Sequence, residues 1–309
     1  MSRGPRRPTV ERSIHFYRVD IGVDDRGRPR AFDVRPALER FAQLPFTPGG
    51  RYLQAGDDAL LCCWPERAAA PQRLLLGNVR RNALPMLERA GTLAPLGVPP
   101  TSGVVEQTHI VFFGNNIVGV EFNFYGPRVN RLTSYFASKA AQLYGVPPSF
   151  EPLLRQDVRN RLANLEHVKI FDLSIRRGYA GVLAQANRDL FGGLEAMAET
   201  AHAEEIEVVL KPRRYSRREM LSDALLNPIR RLAGRADLRD NASRFKVTGV
   251  VQGDDGVQLI DVLSDQLISR KRIVRQGLRT RAIQSDAAFR AIEEAYRDLD
   301  QDLQEAARI

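Results

Sequence analysis

His15, His109, His167 and His202 are the only histidines in the chain, and none has a His or Cys neighbour at metal-ligand spacing. A structural zinc site needs four such ligands converging, so none is expected. No Walker motif, no G-x-G-x-x-G and no G-x-S-x-G elbow occurs. Arg161 and His167 have an Arg-to-His spacing used by one class of ribonucleases, but with 41 arginines in the chain such a match arises by chance. His167 also opens a strand, not a helix. Glu205 and Glu207, followed by Lys211, have the composition of a metal-dependent nuclease site, although alternating acids at a strand start equally describe a solvated face. A metal-dependent nuclease or ribonuclease toxin is therefore the alternative to a non-enzymatic protein, and no cofactor is expected.

The strongest chemical pattern is basic. Residues 211–218 (KPRRYSRR) set five cations in eight positions. Ser216 and Glu219 have capping-box spacing, which predicts a helix over 217–226. Arg217 and Arg218 would then lie in a first helical turn, where free N–H groups and the dipole favour an anion. Residues 228–246 continue the run, and 270–281 (RKRIVRQGLRTR) adds six cations with no acid. In a strand, Arg270 and Arg272 share one face and Lys271 takes the other. The candidate DNA contacts are Lys211, Arg213, Arg214, Arg217, Arg218, Arg230, Arg231, Arg244, Lys246, Arg270, Lys271, Arg272 and Arg275.

The charge distribution supports the same segment. Net charge is +9 over 309 residues, and residues 211–281 hold seventeen Lys and Arg against eight Asp and Glu. The remainder holds twenty-nine of each. A surplus confined to one quarter of the chain is the footprint of a polyanion partner. Phosphate contacts give affinity without reading sequence. No helix-turn-helix or zinc-finger pattern is visible, and few aromatics accompany the cations, so base stacking is not indicated. The expectation is a non-enzymatic, sequence-non-specific binder of double-stranded DNA. A protein-only adaptor for acidic partners would share the charge but not bind nucleic acid.

The elements that would position these residues follow from pattern. No run of about 18 apolar residues occurs, so no transmembrane helix is expected. The N-terminus lacks the apolar stretch of a secretory signal, and residues 1–12 read as a disordered basic tail. Cys62 and Cys63 are adjacent, and strand neighbours point to opposite faces, so they read as small apolar residues, not a disulfide. Together these favour the cytoplasm. Strands are expected at 13–23, 52–54, 60–64, 150–154, 167–176, 205–211 and 271–276, and helices at 36–44, 128–144, 155–165 and 179–202, the last broken at Gly192-Gly193. Hairpins turn at Gly114-Asn115-Asn116 and Gly253–Gly256. Residues 84–103 read as an ordered loop or a spacer, and 228–243 as a polar hinge. The final helix is capped by Ser285, and its apolar seam docks on the protein's own core. The fold class is α+β, two-lobed, with mixed but mainly antiparallel sheets and flanking helices. One lobe is expected from 1–148 plus 244–309, with 149–243 an inserted lobe and the candidate for dimerisation.

Four stretches resemble the lambda-type phage exclusion proteins of the RexA family: VVLKPRRYSRREMLSDALLNP (208–228), FFGNNIVGVEFNFYGP (112–127), FEPLLR (150–155) and the Arg244–Lys246 step before a Gly-containing hairpin. Their order agrees over roughly 110–305; the first hundred residues match weakly. The resemblance implies a two-lobed homodimer with a fold similar to the recombination-associated protein RdgC. It also implies non-specific double-stranded DNA binding and phage exclusion (abortive infection), with a membrane channel encoded nearby as effector. Lys211, Arg213, Arg244 and Lys246 match its basic positions, while Arg214, Arg217 and Arg218 fall in a run one residue shorter here. The Arg-rich N-terminus and a longer 64–105 region depart from the family pattern.

Overall fold

The computed structural model describes residues 8–56, 58–186, 188–212, 219–235, 237–253, 256–278 and 280–307. The fold is α+β with mainly antiparallel sheets. The chain forms two compact units, Met1–Phe150 with Ile268–Ala307, and Glu151–Leu267.

The first unit contains β1 (Thr9–Asp20), α1 (Arg35–Gln43), β2 (Leu53–Gln54), β3 (Ala59–Arg67), β4 (Gln72–Arg80), β5 (Met86–Arg89), β6 (Thr92–Pro95), β7 (Val104–Phe112), β8 (Ile117–Glu121), α2 (Asn130–Lys139) and α3 (Ala141–Tyr144). After the second unit the chain returns with β14 (Ile268–Val274), α9 (Ser285–Asp298) and α10 (Asp300–Ala307). Its sheet runs β14-β1-β8-β7-β4-β3-β2. The β7–β8 turn needs left-handed backbone at Asn115 (φ 57) and Asn116 (φ 58), which asparagine tolerates. Strand alternation then divides the side chains between two faces. His109 and Phe16 face α9, through Phe289 and Tyr296. Phe112 faces the other way, onto Phe32, which meets Phe136 of α2. The C-terminal seam thus docks on the protein's own sheet, with Phe289 and Ile292 buried.

β9 (Ser149–Pro152) begins in the first unit, whose sheet it joins by pairing with β1. The second unit contains α4 (Gln156–Ala163), β10 (Leu165–Arg176), α5 (Ala180–Ala186), α6 (Arg188–Ala201), β11 (Glu205–Leu210), α7 (Leu226–Ala233), α8 (Leu238–Asn241), β12 (Ala242–Val251) and β13 (Val257–Asp261). Its sheet order is β11-β10-β12-β13. Phe171, Leu173, Phe245 and Val247 form its inner face, packed with Leu183, Phe191, Ile229 and Leu232 from the helices. Each such side chain contributes about 1.5–3 kcal/mol by leaving water. The outer face carries Asp172, Ser174, Arg244 and Lys246, with Val209 and Leu259 exposed.

Several expectations need correction. The return to the first unit comes at Ile268, not at 244, because β12 hydrogen-bonds along β10 and carries β13 with it. Residues 9–12 belong to β1, paired with β14, so that part of the expected tail is ordered by a strand ladder. Residues 228–243 are not a hinge: α7 and α8 bury Ile229, Leu232 and Leu238. Gly192-Gly193 lie inside α6. Residues 84–103 contain the β5–β6 hairpin, and β4 escaped the sequence reading. Residues 219–222 are not helical; Ser222 accepts from the Ala224 N–H and caps a short turn leading into α7. Gln284, not Ser285, is the N-cap of α9.

Candidate nucleic-acid interface

β14 is a terminal strand of its sheet. Its alternation puts Arg270 and Arg272 on one face, opposite Ser13 and Glu11, and both guanidinium groups are exposed. No ion pair holds either one among the described residues. Lys271 points to the other face and pairs with Asp298 at 2.5 Å. Arg275 is half-buried; its backbone N–H donates to the Pro8 carbonyl, and its side-chain Nε is buried without a hydrogen-bond partner among the described residues.

The basic candidates of the second unit divide similarly. Lys211 and Arg231 are exposed. Arg213, Arg214, Arg217 and Arg218, with Ser216 of the expected capping box, lie outside the described residues. Arg230 donates to the carbonyls of Leu162 and Ala163, at the end of α4, and of Leu165, at the start of β10, at 3.0–3.1 Å. Arg244 pairs with Asp172 at 2.7 Å and Glu207 at 3.1 Å. The hydrogen bond to Asp172, then the two carboxylate charges, raise its guanidinium pKa. Lys246 pairs with Asp261 at 3.3 Å. Arg230, Arg244 and Lys246 are therefore engaged inside their own unit. Of the thirteen candidates, Arg270, Arg272, Lys211 and Arg231 present exposed cations with neither an ion pair nor a side-chain hydrogen bond among the described residues.

The segment after β8 brings aromatics to the basic strand, which the sequence reading did not foresee. Phe122 donates its N–H to Ser13 O, and its ring stacks on His15 with centroids 5.2 Å apart. Arg128 lies 4.5 Å over Phe122, and Arg281 lies 4.0 Å over Tyr125. Apart from Arg128 on Phe122, these contacts join segments distant in sequence, so the register of β1, β8 and β14 was needed to reveal them.

The enzymatic alternatives find their residues occupied. Arg161 donates to Leu259 O, while His167 Nδ1 lies 3.1 Å from Asp223. Glu205 accepts from Ser174 and Ser243, which lower its pKa, and Glu207 pairs with Arg244. Among the described residues, no group of three or more His, Cys, Asp or Glu is placed to hold a metal ion. Also among them, no helix is long and apolar enough to cross a membrane.

A buried polar cluster lies between α9 and the sheet. His109 Nδ1 is 2.7 Å from Glu121 Oε2, and His109 Nε2 is 3.1 Å from Ser285 Oγ. Arg12 Nε lies 3.1 Å from the other oxygen of Glu121. The connectivity is that of a nucleophile relay. Here, however, His109 is 0% and Glu121 1% exposed, sealed beneath α9. The cluster fastens Ser285, at the start of α9, to β7 and β8. A cleft of about 640 Å³ at the end of the same sheet is lined by Phe32, Phe112, Phe113 and Tyr296. Its one lining glutamate, Glu293, is already held by Arg67 and Arg73.

Compared with protein-family models and with curated proteins, the chain matches no family model and no curated protein. The resemblance to phage exclusion proteins rests on the quoted motifs alone.

Proposed function

We propose that the protein binds double-stranded DNA through backbone phosphates, without reading sequence, and serves as the sensor of an anti-phage exclusion system. The observation that carries the binding is the pair of exposed arginines, Arg270 and Arg272, on a terminal strand, neither of them in an ion pair among the described residues. Lys211 and the basic run after it supply further positive charge. In this reading the protein is a cytoplasmic, non-enzymatic homodimer that signals to a membrane channel encoded nearby. The exclusion role, the dimer and the effector rest on the motif resemblance.

Binding is tested by anisotropy with unrelated duplexes across a salt series. Equal affinities, falling steeply as salt rises, are expected. Absence of binding to any duplex at low salt refutes the reading. Cleavage of duplex or RNA with magnesium or manganese, lost on Glu207→Gln, establishes the nuclease instead.

A further inference from the structure

Arg270 and Arg272, without an ion pair among the described residues, share a sheet face with Phe122. Phe122, Ser13 and Arg270 lie side by side across three adjacent positions, joined by the Phe122 N–H to Ser13 O bond and the Ser13–Arg270 pairing. Arg272 lies two residues along, about 6.8 Å away at strand rise. Beyond Phe122, Phe124 and Tyr125 meet edge to face with centroids 5.1 Å apart, and they remain 54% and 52% exposed. Arg128 donates to the carbonyls of Asn123 and Phe124, holding the loop that presents both rings. Arg281 caps the Tyr125 ring at 4.0 Å.

Two half-exposed rings held by arginines suit a partner that is planar and anionic. Every nucleobase has a π-face, so stacking on such rings is tolerant of sequence, while the flanking guanidinium groups meet phosphates. In a duplex the base faces are already stacked on one another. We propose that this surface binds an unpaired nucleic-acid strand, with bases stacking on Phe124 and Tyr125 and phosphates meeting Arg270, Arg272 and Arg281. The proposal rests on the nucleic-acid reading above and adds to it a second mode, recognition of melted or single-stranded DNA.

The full chain is tested by anisotropy with a labelled oligothymidine of about twenty nucleotides and with a duplex of equal length. Phe124→Ala with Tyr125→Ala is expected to weaken single-strand binding about tenfold or more. Duplex affinity should change by less than about twofold. Unchanged single-strand affinity overturns the proposal. Wild-type binding to the duplex but not to the single strand also overturns it, and leaves the phosphate-binding reading standing; binding to neither overturns both. If the substitutions reduce the mass seen by light scattering while single-strand affinity is kept, the rings are a contact between copies of this chain, and the proposal fails. Photocrosslinking to bromouracil-substituted oligonucleotide, read by mass spectrometry, should place the adduct on Tyr125 or Phe124. An adduct confined to other residues counts against it.

Discussion

Replacing Arg12 with Met removes a cation from a carboxylate that has almost no access to water. Arg12 is 17% exposed, Glu121 is 1% exposed, and the charges approach to 3.1 Å. That Nε makes no hydrogen bond among the described residues, so the contact is an ion pair. At an effective dielectric near 20 the gross attraction is about 5 kcal/mol. The net cost of breaking a buried pair is about 3–5 kcal/mol, because the remaining charge stays desolvated. The lower end applies, since His109 Nδ1 still contacts the carboxylate at 2.7 Å. For a unit of this size each kcal/mol moves Tm by about 2–4 °C, so Arg12→Met should lower it by about 6–12 °C. Trp64 is the only tryptophan and lies in β3, so its emission during heating reports the first unit alone. Adding Glu121→Leu to Arg12→Met should recover much of the loss, because an apolar pair of similar volume carries no desolvated charge. A fall under about 2 °C for Arg12→Met refutes the argument that this pair is buried and coupled.

Three further outcomes are expected. Gly249→Ala would drive a Cβ into the His167 carbonyl oxygen, a backbone atom that cannot swing away, so chemical unfolding followed by circular dichroism should show a loss of about 3 kcal/mol. Arg230→Ala removes the side-chain donor to two carbonyls at the end of α4 and one at the start of β10 and should cost about 1.5–3 kcal/mol, seen as faster amide exchange in Gln156–Ala163 and a lower urea midpoint. Burial pushes the Cys62 thiol from about 9 up to about 12, and Cys63 well above its ordinary value. A raised folded pKa stabilises fully below the unfolded value and loses that contribution as pH climbs, so the urea midpoint should fall between about pH 9 and 12. Both thiols should also resist a disulfide reagent at pH 8 until denaturant is added.

Local patterns in the sequence carried much of the fold. The asparagine turn fixed the β7–β8 hairpin, helical spacing located α2 and α9, and alternation placed Arg270, Lys271 and Arg272 on their correct faces. Residues 228–243 looked like a hinge because their arginines dominate the composition, although Arg230 in fact satisfies α4 and Arg235 binds Asp237. Arg244 and Lys246 looked available because their acids, Asp172 and Asp261, come from neighbouring strands. The His109–Glu121 pair was within reach of the sequence: a hairpin centred on Asn115 sets residue 109 opposite 121. The Ser285 and Arg12 contacts with that pair were not, since they depend on docking α9 and on the β1 register.

The central claim is tested most directly by charge reversal on β14. Arg270→Glu with Arg272→Glu should weaken duplex binding to a similar degree on every sequence. The slope of log affinity against log salt should become shallower by about 1.8, as two phosphate contacts are lost. Unchanged affinity and slope, with the fold intact by Trp64 emission, would contradict the account and remove this strand from the DNA interface.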